Sequence, residues 1–177
     1  MSSTLDSLLN LPEITIEGSV QMEGYVCLQI KILAPGINCP HCQKPTQELH
    51  QSSSILIRDL PTFGSPVYLK VPRRKFYCRT CQRYSTEKLE FIDWRRSHTQ
   101  RYELNIYHRV QTSSIEQISR EEALSSEKIQ GIFSHVSNQL KKRTGSQENA
   151  SVLMKLLCIK ATKTLKPWLV ILILEIS

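Results

Sequence analysis

Two Cys-x-x-Cys pairs, Cys39-Pro40-His41-Cys42 and Cys78-Arg79-Thr80-Cys81, constrain this chain more than any other feature. Residues 43–77, 35 in all, separate them. Each pair can turn two thiolates toward one point, and two pairs complete a tetrahedron. Zn2+ favours such soft sulfur sets, at about 2.3 Å, in closed structural sites. The intervening segment reads as a β-hairpin. The expectation is a zinc ribbon, in which two knuckles clamp the ends of a small sheet around one structural Zn2+ held by Cys39, Cys42, Cys78 and Cys81. Such a sheet has little core of its own, so the ion supplies much of its folding free energy. A redox dithiol is the competing reading, but that chemistry wants one Cys-x-x-Cys at a helix start. His41 and His50 read as exposed polar residues beside a filled site. Cys27 in a strand pattern and Cys158 near the end read as buried or incidental.

The metal reading requires reduced thiols, and composition agrees. The 177 residues leave room for one ordinary domain or two small ones. A hydrophobic fraction of 40% and a charged fraction of 22% exclude a disordered chain. Met1 to Pro12 lacks the basic start of a secretory signal, and Leu165 to Ile176 is too short for the roughly 20 residues of a bilayer span. A cytoplasmic, nucleoid-associated protein with no membrane partner is expected, and in that compartment cysteines stay reduced. Net charge of +7 suits a polyanion.

That charge is concentrated. Lys70, Arg73, Arg74, Lys75, Arg79 and Arg83 fall within one short stretch free of acids, interleaved with Phe76, Tyr77 and Tyr84. Cations of this density neutralise phosphates and release counterions, so the stretch reads as a DNA-facing strip. A solvated edge strand kept soluble by charge is the plainer alternative.

Strand patterns cover Ile14–Ile16, Tyr25–Leu33, Ile55–Ile57, Val67–Val71 and the run from Lys75 to Cys78, with a turn from Pro61 to Pro66. Leu5, Leu8, Leu9 and Leu11 suggest a short helix closed by Pro12. From Arg95 to about Leu140 the period becomes helical. Thr99 and Ser114 are placed as N-caps, and Ser125 or Ser126 as a third. The last of these helices carries the stripe Ile129, Ile132, Phe133, Val136 and Leu140. Two short helices joined by a tight turn form a helix-turn-helix, whose second helix would enter the major groove. Ser126, Glu127, Lys128 and Gln130 are the candidates for base contact. Two features depart from the usual pattern: Glu122 stands where an apolar residue is common, and Ala123 where the turn glycine is. A helical hairpin that only packs therefore stays open as a reading. His98, His108 and His135 read as surface or packing residues.

These pieces together resemble the N-terminal region of the ISL-three family of insertion-sequence transposases. The likeness rests on Cys39-Pro40-His41-Cys42, Arg58-Asp59-Leu60-Pro61, Val67–Val71, and Arg73-Arg74-Lys75-Phe76-Tyr77-Cys78 with Cys81, followed by the helical segment Ser113 to Val136. The resemblance implies recognition of terminal inverted repeats in double-stranded DNA, with strand cutting assigned to a separate catalytic core that uses three acids and two metal ions. That core's opening glycine–isoleucine–aspartate–glutamate–isoleucine strand is not visible after Ser146. A shifted reading frame over Ser151 to Leu156 permits it, so a frameshift near residue 147 is expected to have replaced the core.

The organisation expected is α+β: residues 1–37 as an N-terminal helix and strands packing on the ribbon, 38–90 as the zinc ribbon, 95–145 as an all-helical helix-turn-helix domain, and 146–177 as linker and shifted tail. The function expected is DNA binding at insertion-sequence ends without catalysis, with a homodimer or a full-length transposase as possible associates. A free-standing transcriptional regulator built from the same modules is the runner-up.

Overall fold

The computed structural model describes residues 4–142. The shifted tail expected over 146–177 lies outside the described residues. In chain order the elements are α1 (Thr4–Leu9), β1 (Ile14–Met22), β2 (Tyr25–Ile32), β3 (Ile37–Asn38), β4 (Pro45–Thr46), β5 (Leu49–Thr62), β6 (Ser65–Cys78), β7 (Arg83–Thr86), α2 (Gln100–Val110) and α3 (Ile115–Glu122). A last helix, α4, runs from residue 126 through 142. The architecture is α+β, a strand-rich half followed by a helical half.

One five-stranded sheet takes the order β1-β2-β6-β5, with β7 also on β6. The spine is β6. Its first half pairs parallel with β2, from Val26↔Val67 to Gln29↔Lys70, and its second half pairs antiparallel with β7. Along its whole length it pairs with β5. The parallel pairing joins the N-terminal hairpin and the ribbon in one sheet, a non-local contact that no strand pattern reveals.

Strands expected as separate short runs are two continuous 14-residue strands. Between them the turn is tighter than the expected Pro61–Pro66 loop. Phe63 (φ 51°) and Gly64 (φ 78°) both adopt left-handed backbone, the pairing of a two-residue hairpin whose twist matches its strands. Pro61 falls in the irregularity between Asp59 and Thr62, where a missing N–H breaks no ladder bond.

The covered face of β6 changes along its length. Val67, Leu69 and Val71 point into the main core, whereas beyond Pro72 the buried positions are Phe76 and Cys78. The first half backs Leu9, Ile14, Ile30, Ile32, Ile57 and Phe91. The second half backs the knuckles. A separate helical core consists of Tyr102, Ile106, Ile118, Ile129 and Ile132. Each of these buried side chains stabilises its module by roughly 1.5–3 kcal/mol before ordering costs.

The two cores are locked together by Arg58 and Asp59. Ladder-like bonds run from Arg58 N to Ser97 O (2.9 Å) and from Thr99 N to Arg58 O (3.0 Å). The Arg58 guanidinium donates to Glu122 Oε2 (2.9 Å) and to the Glu122 carbonyl (2.7 Å). Asp59 accepts from Thr99 Oγ1 and Arg101 Nε, both at 2.7 Å.

Candidate metal centre and nucleic-acid interface

Both knuckles are built alike. Each is Cys-x-x-Cys-Gln, and the glutamine after the second cysteine, Gln43 (φ 59°) or Gln82 (φ 54°), takes left-handed backbone that turns the chain back. In the first knuckle Gln43 N donates to Cys39 O (2.8 Å) and Cys39 N to Lys44 O (2.9 Å). Gly36, just before it, has no room for a side chain: a Cβ there would lie 2.3 Å from Thr46 O of β4.

These turns bring the four sulfurs of Cys39, Cys42, Cys78 and Cys81 within 4.8 Å of one another. Cys39 Sγ lies 3.5 Å from Cys81 Sγ, and Cys42 Sγ 3.5 Å from Cys78 Sγ. Sulfurs placed tetrahedrally at about 2.3 Å from a zinc ion are about 3.8 Å apart. The set therefore fits one structural zinc, and its all-sulfur chemistry selects a soft ion over magnesium or calcium.

Protons are unevenly shared among the four thiols. The backbone N–H groups of Cys42 and His41 draw Cys39 down to about 6. The Cys81 N–H likewise lowers Cys78. The Lys44 N–H lowers Cys42, but burial and its bond to Cys78 outweigh it, so that thiol is raised. Burial, then the bond to Cys39, pushes Cys81 up to about 12. Each knuckle thus pairs one thiol shifted toward ionisation with one held protonated.

The basic strip does not survive as one surface. Arg73 is exposed, with its guanidinium 5.4 Å over the Trp94 ring. Lys75 sits 5.1 Å over Tyr84, which packs at 5.0 Å against Tyr77. Lys70 is exposed on the opposite face, since the side chains of a strand alternate. Arg79 is exposed and paired with Glu48 (2.6 Å), and Arg83 lies 3.4 Å from His41.

Arg74 is the correction. It is not a free phosphate contact: its guanidinium donates to both oxygens of the buried Glu87 (2.7 and 2.5 Å) and to Ala34 O (2.8 Å). A charge clamped this way braces the strand before the knuckle. Sequence spacing alone could not separate it from Arg73.

In the helical half the N-caps are as expected. Thr99 accepts from Tyr102 N and Ser114 from Gln117 N. Ser125, not Ser126, caps α4 through Lys128 N (3.4 Å). Both departures from the usual pattern are accounted for. Ala123 takes the left-handed turn conformation itself (φ 51°). Glu122 is buried because Arg58, Arg109 and the Tyr102 hydroxyl all donate to its carboxylate.

On α4, Ile129, Ile132 and Val136 are buried. Glu127, Lys128 and Gln130 are exposed, while Ser126 is half-buried. The same outer face continues through Gly131, Ser134 and Asn138, which sequence reasoning missed although the helical period could have found them. A Cβ at Gly131 would meet nothing within 4 Å, so packing does not require this glycine.

Asp93 ties the segment between the modules to α4. Its carboxylate accepts from Gln139 Nε2 (2.6 Å), and the same oxygen lies 2.8 Å from His135 Nε2. Burial raises the Asp93 carboxyl, but the bonds from His135, Gln100 and Gln139 outweigh it and hold it below the usual range. Asp93, Glu103 and His135 could also gather around a cation. Arg96 already occupies Glu103 (2.7 Å), however, which makes the group an ion-pair clamp. His135, expected at the surface or in packing, is part of it.

Fold and site together define a zinc-ribbon and helix-turn-helix protein, and among the described residues no helix is long and apolar enough to cross a membrane. Residues 35–81 match the zinc-finger of transposase IS204/IS1001/IS1096/IS1165. Residues 87–137 match the helix-turn-helix domain of transposase family ISL3. The chain therefore carries, in order, domains that match the zinc ribbon and the helix-turn-helix of ISL3-family transposases. It is similar to the transposase for insertion sequence element IS1001 of Bordetella parapertussis, at 27% identity over 93 residues. That match covers 52% of this chain and 23% of the relative. No solved structure matches the chain.

Proposed function

We propose that this chain binds duplex DNA at the terminal inverted repeats of an insertion sequence, and that strand cutting belongs to a catalytic portion distinct from residues 4–142. Cys39, Cys42, Cys78 and Cys81 hold the zinc, which fixes the ribbon. Arg73 and Lys75 contact phosphates, with Lys70, Arg79 and Arg83 at the margins. The outer face of α4, from Glu127, Lys128 and Gln130 onward, reads base edges. Gly131 lets the helix backbone lie close to the groove floor, a role that would offset its cost to the helix.

One observation carries the reading: Arg58 and Asp59 bind the helical module to the sheet, through a buried ion pair to Glu122 and a part-buried one to Arg101. A cationic face on the ribbon and a polar helix face are therefore held in one fixed relation, which suits a single duplex contacted at two places. The test is fluorescence anisotropy of the full chain on inverted-repeat and scrambled duplexes across a salt series. The expected result is tighter binding to the repeat and a steep fall with salt. Equal affinity for both duplexes would remove inverted-repeat recognition, and indifference to salt would remove the phosphate contacts.

A further inference from the structure

Between the ribbon hairpin and the start of the helical module lies a cleft of about 370 Å³, whose walls include Ile55, Arg73, Lys88, Ile92, Trp94 and Arg95. Trp94 stands 56% exposed, an unusual place for an indole. The acids on the cleft wall are mostly spoken for: Glu87 is held by Arg74, and Asp93 accepts from Gln139 beside His135. Glu90 remains. Against it stand Arg73, Lys88 and Arg95, and among the described residues no carboxylate lies within ion-pair distance of any of the three. The cleft is therefore an aromatic surface within a cationic rim.

Its position is as informative as its chemistry. Arg73 belongs to the ribbon. Asp93 fastens the Trp94 segment to α4, and Arg96 fastens it to Glu103 of α2 (2.7 Å). The cleft is thus the seam between the ribbon strand that carries Arg73 and the segment fastened to α4 and α2.

We propose that this seam is a third DNA contact, resting on the duplex-binding reading above: Arg73, Lys88 and Arg95 engage phosphates of one strand, and the Trp94 indole packs on the sugar between them. Arg73 already covers one ring face, which leaves an edge and one face for a deoxyribose rather than a platform for a run of splayed bases. Planar guanidinium groups suit phosphate oxygens, and an aromatic ring beside them excludes water from the contact.

The test uses the full zinc-loaded chain on inverted-repeat duplex, with Trp94→Ala, Trp94→Phe and Arg95→Ala. Trp94→Ala should weaken binding about tenfold, equivalent to about 1.4 kcal/mol, with an unchanged salt slope, and Trp94→Phe should restore part of it. Arg95→Ala should lower the salt slope by about one. In a Trp168→Phe background, duplex should alter the Trp94 emission. Melting curves of the variants should match the parent because both side chains are exposed. Unchanged affinity and salt slope, together with unchanged emission on binding, would overturn the seam contact while leaving duplex binding intact. An emission change with single strands alone would overturn it in favour of base stacking. A parent chain that binds no duplex would overturn both readings.

Discussion

At the scale of single residues, the main lesson is how differently like-charged neighbours behave. Arg73 and Arg74 adjoin in sequence, yet one is exposed and the other is clamped between Glu87 and Ala34. Glu122 shows the converse, an acid at an apolar position that is buried because three donors converge on it. Removing it would strand Arg58, whose side chain is only 10% exposed. Glu122→Ala should therefore destabilise the chain by roughly 3–5 kcal/mol in chemical denaturation, the cost of leaving a buried charge uncompensated. A loss well below that would mean water reaches Arg58. Gly131 should respond in opposite senses to two measurements. Gly131→Ala should raise helix stability by about 1 kcal/mol, because a mid-helix glycine loses more backbone entropy than alanine. If the α4 backbone lies against DNA, the same variant should weaken duplex binding. A stabilised variant with unchanged affinity would discard the close approach.

At the scale of elements, the knuckles decide the behaviour of the ribbon. Cys39 at about 6 and the lowered Cys78 are the first to ionise, whereas the raised Cys42 and Cys81, the latter at about 12, keep their protons near neutrality. Zinc must displace at least those two protons. Its affinity should therefore rise steeply with pH and fall correspondingly with acid, in competition against a chromophoric chelator. The folded-state lowering of Cys39 contributes stability that is present above the ordinary thiol range and is lost as pH falls through about 6, the same sense as zinc release. An affinity flat across this range would contradict four-thiolate ligation. Chelation at neutral pH should unfold β5, β6 and β7 beyond Pro72, where Phe76 is the main buried apolar side chain behind the knuckles. An unchanged far-ultraviolet spectrum and melting curve would count against a structural ion.

At the scale of the whole molecule, the ribbon and the helices are held as one body by the Arg58–Asp59 joint, the Asp93 clamp and the bond from Arg101 to the Leu9 carbonyl (2.6 Å). Surface geometry then sets the electrostatics. Arg73→Ala should lower the salt slope of duplex binding by about one, whereas Arg74→Ala should leave that slope alone and lower the melting temperature. Equal effects of the two on the salt slope would place Arg74 back on the DNA face.

The zinc site was legible from the sequence because metal ligation demands particular atoms at short spacings, and two Cys-x-x-Cys pairs satisfy that locally. The caps at Thr99 and Ser114 and the stripe of α4 were legible for the same reason, since helical period and capping involve neighbours a few residues apart. Tertiary structure alone decided the parallel pairing of β2 with β6, the separation of Arg73 from Arg74, the shelter given to Glu122, and the seam at Trp94. Each depends on groups far apart in the chain, such as Arg58 and Glu122 at 64 residues. Nothing in the local spacing encodes which distant charge a side chain will meet. Only when both cores have packed does the choice of partner become fixed.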